Sequence, residues 1–385
     1  MKRLRLVAGV AICFTTCALS VAAEDGDALL ERFGSLSIHG GVIGYYQGSN
    51  TDQVGGEVFE STNGAGYVGD LELAFEPIEN GEVYLRVHAG EGDGADKGLE
   101  AAGALYADLN TINDDNPEDQ SLDLLEVIYT HKFMDDKFFI TVGETEPVVF
   151  IDDNNFANDE AGQFVGKAFV NNVTLDQEME YAPLIALGYA LSERFNIAFL
   201  AQSTSKPRHE EDEQKDKYED IFDDPFFAGQ LTYSTAAELE GNYRLYGWRQ
   251  GYDHHALMGD RDDVSGWGVG LSLDQKISDS VGLFGRASYS DDTVYEVPWS
   301  WSLGANLTGL LPNRAADEIG IGFASLIVND DLEHNDTEYH VETYYRVAIS
   351  EHFGLTPNLQ VVTNGGGDST SDTILAGMLR ADFVF

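Results

Sequence analysis

Five arginines recur where alternating stretches of chain turn them to one side: Arg86, Arg244, Arg286, Arg346 and Arg380. The same face collects Asp70, Glu72, Asp274, Glu342 and Asp382, with Tyr84, Asn306, Tyr344 and Gln360 among them. A guanidinium presents a fork of donors and a carboxylate accepts, so together they exchange hydrogen bonds with hydroxyl groups. A tyrosine ring adds an apolar face for the flat side of a sugar. Such a surface suits polyhydroxylated solutes; it equally suits a generic wet wall with its charges balanced. The residues expected to touch a solute are Arg86, Glu72, Arg244, Arg286, Glu342, Tyr344, Arg346 and Arg380.

Nothing in the sequence pairs a nucleophile with a base. His254 and His255 form the only adjacent pair among the nine histidines, in an expected outside loop near Asp253, Asp260, Asp262 and Asp263. No serine stands in a nucleophile elbow and no His-Glu-x-x-His occurs. Acidic patches at Asp114-Asp115 with Glu118-Asp119, at Asp152-Asp153 with Asp159-Glu160, and at Glu210 to Glu213 raise the question of calcium. Calcium wants six to eight oxygens from a loop folded around it, and none of the patches has the EF-hand spacing. They are expected to be solvated loop charge, with a bound divalent cation at 152–160 as the alternative. No catalytic residue, metal or cofactor is expected.

The elements that must carry the polar face have a period of two. Leu71, Leu73 and Phe75 alternate with Glu72 and Glu76; Trp299, Trp301, Leu303, Ala305 and Leu307 alternate with Ser300, Ser302, Gly304 and Asn306. Tyr339, Val341, Thr343, Tyr345 and Val347 alternate with His340, Glu342, Tyr344 and Arg346. Runs of this kind, each about ten residues long, match a strand crossing a bilayer at a tilt. Counting them from 36–48 to 373–385 gives about sixteen strands. Connections after even-numbered strands are short, such as Pro77 to Gly81 and Lys276 to Ser280. Those after odd-numbered strands are generally longer, notably Glu91 to Ser121 and Thr145 to Tyr181. A soluble sandwich has no reason to alternate in this way, whereas a transmembrane antiparallel up-and-down β-barrel has short periplasmic turns and long extracellular loops. The final run ends on Phe385, placing an aromatic at the membrane interface.

The start of the chain agrees. Lys2, Arg3 and Arg5 precede an uncharged run from Leu6 to Ala23 that ends in Val21-Ala22-Ala23, followed by Glu24, Asp25 and Asp27. This is the layout of a cleaved signal peptide, 1–23, rather than of an uncleaved helical anchor. A short periplasmic segment, 24–34, then leads to a barrel domain, 35–385. Cys13 and Cys17 both fall in the signal, so disulfides and thiolate metal sites are excluded from the rest. With 67 acidic against 22 basic residues the formal net charge is −45, which excludes nucleic acid as a partner. The expected location is the outer membrane of a Gram-negative cell, in contact with its lipid and lipopolysaccharide, as a monomer or homotrimer.

Sixteen strands leave an aqueous lumen, so any narrowing must come from a loop folded inward. Thr145 to Tyr181 is the longest and carries Phe150, Phe156, Phe164 and Phe169, which an outward loop does not need. Within it, Asp153-Asn154-Asn155-Phe156-Ala157-Asn158-Asp159-Glu160 followed by Gln163-Phe164 resembles the carbohydrate-selective porin (OprB) family. Leu311-Pro312-Asn313-Arg314-Ala315-Ala316-Asp317 leading to Gly320-Ile321-Gly322, Glu342 to Arg346, and Leu355-Thr356-Pro357-Asn358-Leu359-Gln360 extend the likeness. The resemblance implies a sixteen-stranded barrel that passes monosaccharides and similar solutes through a constriction lined by arginine and acidic residues. Asp153, Asn155, Phe156 and Phe164 are then the constriction-loop residues. The rival readings are a general cation-preferring porin without sugar selectivity, and a barrel enzyme or adhesin.

Overall fold

The computed structural model describes residues 36–385 apart from 51–52, 55–56, 59–62, 97–98, 100–103, 114–121, 177–180, 205–217, 219–220, 236–238 and 262. The expected signal peptide, segment 24–34, Asp114, Asp115, Glu118, Asp119 and the run Glu210 to Glu213 lie outside the described residues.

Sixteen antiparallel strands close into one barrel. They are β1 (Leu36–Ser49), β2 (Asn63–Ile78), β3 (Gly81–Glu91), β4 (Asp123–Phe133), β5 (Phe138–Thr145), β6 (Ala182–Ala190), β7 (Phe195–Gln202) and β8 (Phe226–Ser234). The second half is β9 (Gly241–His254), β10 (Val264–Ser278), β11 (Val281–Ser290), β12 (Trp299–Thr308), β13 (Glu318–Ile327), β14 (Glu338–Ala348), β15 (Phe353–Thr363) and β16 (Ile374–Val384). Each pairs with its sequence neighbours, and β1 closes the ring by pairing with β16, Tyr45 opposite Arg380. Closure leaves no unpaired edge, the condition for a sheet to live in hydrocarbon.

Side chains follow the period-two pattern. In β12, Trp299, Trp301 and Leu303 are exposed on the outside while Ser300 and Ser302 are buried within. Leu271 and Ser272 divide in the same way on β10. Trp267, Tyr289 and Trp299 touch along three neighbouring strands and form part of an aromatic girdle at the extracellular end. Inward glycines make room for large rings. A Cβ on Gly322 would lie 2.7 Å from the Phe169 ring.

The loop asymmetry also holds, with two corrections at element ends. Strand β2 runs through Pro77 to Ile78, leaving only Glu79 and Asn80 as the turn. Pairing with β3 skips from Phe75 to Ile78, a bulge that accommodates a proline without an N–H to donate. Strand β9 likewise extends to His254 across an irregularity between Arg249 and Asp253, so His254 ends a strand rather than lying in a loop.

Candidate functional site

The described residues of the connection between β5 and β6, 146–176 and 181, enter the lumen. A single 3-10 turn at Pro147–Val149 carries Val148, Phe150 and Ile151 against the inward side chains Leu184, Leu200, Phe226 and Trp248. Farther on, Phe164, Ala168 and Phe169 pack on Phe284, Ala324, Leu326 and Tyr344 of the opposite wall. Phe164 stacks on Phe169 and meets Tyr344 edge-on at 5.0 Å. The lumen is therefore apolar where the loop touches it, and burial of these rings draws the loop inward.

Polar wall residues fix where it stops. Arg286 donates to the carbonyls of Asp152 (3.0 Å), Ala157 (2.9 Å) and Phe169 (2.5 Å), to Asn158 Oδ1, and through Nε to Asp152 Oδ1 (3.4 Å). Asp152, itself buried, accepts from Asn172 N (2.7 Å) and Nδ2 (2.8 Å). Burial pushes the Asp152 carboxyl above its ordinary value, and Arg286 and the Asn172 N–H oppose that rise. Arg380 donates to the carbonyls of Glu160 (2.9 Å) and Gln163. Glu342 accepts the N–H groups of Val165 (2.8 Å) and Gly166 (2.9 Å) and an amide hydrogen from Asn358 (2.6 Å). Arg286 and Glu342 are thus met largely by backbone of the loop, while Arg380 keeps its Nε without a partner among the described residues.

A second loop also enters. Leu99, Ala104 and Leu109, between β3 and β4, are buried against Val362, Ile374 and Ala376. Tyr106 N donates to both carboxylate oxygens of Glu338 (3.1 and 3.2 Å), and Gln360 Nε2 donates to the Leu109 carbonyl (2.7 Å). The two inserted loops bond each other through Thr111 N to Val165 O (2.9 Å) and Lys167 N to Asp108 O (2.9 Å). Burial, with Glu296 and Glu338 nearby, pushes the Tyr106 hydroxyl up to about 12, so it stays neutral.

The residues singled out from sequence all face inward but divide into two groups. Glu72 and Arg86 remain half-exposed on the wall, opposite each other in register on β2 and β3. Arg86 holds Asp70 (2.8 Å) and the Tyr181 hydroxyl (2.8 Å) and keeps a fifth of its side chain in solvent. Arg346 pairs with Asp382 (2.6 Å) and is 26% exposed. Asp153 and Asn155 are open on the loop edge and Phe156 is half-buried. Arg244, Arg286, Glu342, Tyr344, Arg380 and Phe164 are covered by the loop. Five of these were expected to line the pore, and the apolar footprint of the loop brings it down on top of them; Phe164, expected in the constriction loop, is part of that footprint. Arg244 reaches the edge only through its partners, Asp274 (2.5 Å) and the open Asp153 (3.0 Å). The 152–160 carboxylates are likewise engaged. Asp152 holds Asn172, and Asp159 accepts the Ala161 and Gly162 N–H groups (3.1 Å each).

This geometry, a sixteen-stranded barrel throttled from within, meets its counterpart in sequence. The model of the family "Carbohydrate-selective porin, OprB family" matches residues 47–385. The chain belongs to that family. This porin is 26% identical over 197 residues to Porin B of Pseudomonas aeruginosa, covering 39% of the chain and 42% of the relative. It is 32% identical over 124 residues to an uncharacterized protein of Nostoc, covering 30% of the chain and 21% of that protein. These matched stretches thus span less than half of either relative. In structure it resembles the high-pH form of Pseudomonas putida OprB, with a TM-score of 0.75, 17% identity, and coverage of 94% of this chain and 96% of the other. The fold and family place the porin in the Gram-negative outer membrane, as a channel rather than an enzyme.

The stretches that carried the family likeness have different jobs. Asp153, Asn155 and Asp159 of the 153–164 stretch lie on the loop edge while Ala157 and Phe164 are buried, and Asn358 and Gln360 of the Leu-Thr-Pro-Asn-Leu-Gln stretch brace Glu342. Residues 311–317 form a periplasmic turn in which Arg314 Nε meets Asp317 at 2.7 Å. Sequence reasoning missed the second loop and Glu338. Leu105, Ala107, Leu109 and Ile112, apolar residues in an otherwise polar connection, were the signal available.

Proposed function

We propose that the barrel lets carbohydrates and similar small hydrophilic solutes diffuse passively across the outer membrane. The observation that carries this is the division of the inward face. One set of charges is used up in seating two loops, and a smaller set stays open along the passage: Glu72, Arg86 and Arg346 on the wall, and Asp153, Asn155 and Phe156 on the loop. Paired donors and acceptors beside an aromatic face suit a neutral polyol, which has hydroxyls to exchange and no charge to desolvate. Swelling of proteoliposomes in a panel of neutral sugars tests it. Swelling rates should distinguish sugars of equal size and should fall in Arg86→Gln. Rates that depend on size alone overturn sugar recognition and leave a plain sieve.

A second reading, mild cation preference, is favoured by the open carboxylates at Asp153 and Asp159. Screening within about 8 Å at physiological salt should make that preference fade as salt rises, while sugar flux hardly changes. Reversal potentials across a salt gradient, read with and without sugar, separate the two.

A further inference from the structure

Tyr106, on the inserted loop between β3 and β4, is fixed from behind and open in front. Its N–H is gripped by both carboxylate oxygens of the fully buried Glu338 (3.1 and 3.2 Å). The same carboxylate takes Gly366 N (2.8 Å) and pairs with His340 Nε2 (2.7 Å), so loop, turn and strand meet behind the tyrosine. Ala104 and Ala107, which flank it, are buried, and farther on Thr111 N bonds the constriction loop at Val165 O (2.9 Å). Yet the tyrosine side chain on this rigid mount is only half-buried, and its hydroxyl makes no hydrogen bond among the described residues. Glu296 stands beside it. Val297, next in the β11–β12 connection, shares one buried cluster with Ala107, and Tyr106 packs against that cluster. The Glu296 backbone is held by Asn329 N (2.8 Å), while its exposed carboxylate has no hydrogen bond or ion pair among the described residues. That carboxylate is close enough to help keep the Tyr106 hydroxyl neutral. Glu338 begins β14 at its extracellular end, so a solute from outside meets this pair before Arg346.

We propose that Tyr106 and Glu296 form an entry station that selects pyranose rings over open-chain polyols. This rests on the reading of the barrel as a sugar channel, and it names the solute shape the channel favours. A pyranose with equatorial hydroxyls carries its axial C–H bonds on two flat faces. One face lies on the tyrosine ring, whose apolar body and polar tip suit a solute of the same mixed character. Neighbouring hydroxyls donate to the Glu296 carboxylate, and another exchanges a hydrogen bond with the Tyr106 hydroxyl. An alditol of the same length has the hydroxyls but no fixed flat face. It must give up torsional freedom to make the same contacts, and so binds more weakly.

The test uses the whole barrel in planar bilayers at 1 M salt, where screening within about 3 Å mutes the field of Glu296 on the ion current. Block of that current is titrated with glucose and with sorbitol, its open-chain reduction product. Glucose should half-block the parent at about ten-fold lower concentration, the cost of freezing one or two torsions in sorbitol. Tyr106→Phe keeps the ring, so it should weaken both solutes about three-fold and preserve their ratio. Tyr106→Leu, apolar but without a ring, should bring the ratio to one. Glu296→Gln, an exposed change, should weaken both solutes about ten-fold. Unfolding midpoints in lipid report that each variant folds. A parent ratio of one, with both solutes weakened by Arg86→Gln, overturns the station and leaves the sugar channel standing. Absence of block by either solute in the parent overturns sugar recognition and the station with it. A ratio that survives Tyr106→Leu, or block unchanged in Glu296→Gln, overturns the station alone.

Discussion

Arg286 and Arg86 are the same residue type on the same face of the same barrel, and the structure uses them in opposite ways. Arg286, 3% exposed, gives its donors to three carbonyls and two side chains of one inserted loop. Arg86, at the other side of the lumen, holds Asp70 and Tyr181 and stays in contact with water. What separates them is the apolar footprint. Phe284, two positions from Arg286, belongs with Ala324 and Leu326 to the wall patch that holds Phe164 and Phe169, whereas the wall beside Arg86 is Glu72, Tyr84 and Asp70 and the loop brings it the Tyr181 ring. An arginine on a pore wall thus becomes an anchor or a rail according to the residues two positions away.

The sharpest way to break this comparison is Arg286→Met. It strips the loop of its anchor and leaves Asp152 buried without its cation, a change of the kind that costs about 3–5 kcal/mol when one partner of a buried pair is removed. Asp152, already pushed above its ordinary value, will take up a proton and soften the loss. The sixteen strands keep their own hydrogen bonds, so the loop should suffer before the barrel does. Single-channel recording should give a larger, noisier conductance with weaker discrimination among sugars. Unchanged conductance would mean that the aromatic packing alone seats the loop.

A third setting for the same side chain sharpens the contrast. Leu303→Arg places a guanidinium on the lipid face, where it finds neither loop carbonyls nor solvent. Near the bilayer midplane this should cost about 2–4 kcal/mol, read as a shift in the unfolding midpoint of the lipid-reconstituted barrel. A shift below that range would place Leu303 closer to an interface.

Arg86→Gln should do least to the fold and most to the solute. The loss is the ion pairs to Asp70 (2.8 Å) and Glu126 (3.7 Å) and the hydrogen bond to Tyr181, about 1–3 kcal/mol in stability. Sugar flux measured by swelling should fall several-fold, and cation preference should rise because Asp70 and Glu126 lose their counter-charge. If flux is untouched while Arg346→Gln abolishes it, the rail runs along β14 and β16 instead.

The barrel was legible because its signal is repeated sixteen times and each repeat answers to the same two solvents, lipid outside and water inside. The inward parity of Arg86, Arg286 and Arg380 followed from that alone. Their division into covered and open did not, because it depends on where a distant loop lands. Phe164 meets Tyr344 across 180 residues of chain, and no periodicity records such a contact. The apolar residues of the 146–181 loop betrayed that it turns inward, and those of 104–112 carried a fainter version of the same message. Glu338 and Glu342 looked alike in the alternation. Only the structure separates them, Glu338 holding the loop between β3 and β4 through Tyr106 and Glu342 the loop between β5 and β6 through Val165 and Gly166.

The smallest effect belongs to an arginine pair outside the lumen, in the periplasmic turn 309–317. Asp317 accepts from Arg314 Nε (2.7 Å), the Tyr345 hydroxyl and Ala348 N (3.1 Å), and its backbone closes the turn through Gly309 N (2.9 Å). Burial works against its carboxylate, yet the hydrogen bonds from Arg314, Tyr345 and Ala348 hold the group below its ordinary 3.8. A carboxylate whose pKa is depressed on folding contributes stability that is complete above the unfolded value and is lost as pH falls through the folded one. Acidification from about pH 5 to about pH 3 should therefore loosen this turn, and Asp317→Asn should remove that portion of the pH dependence. Chemical unfolding of both proteins in lipid at several pH values measures it. Conductance and sugar discrimination should remain the same in Asp317→Asn, since the turn touches neither inserted loop. A variant that kept the full acid sensitivity of the parent would place that sensitivity outside the turn, and not at Asp152, whose raised pKa gives the opposite sign.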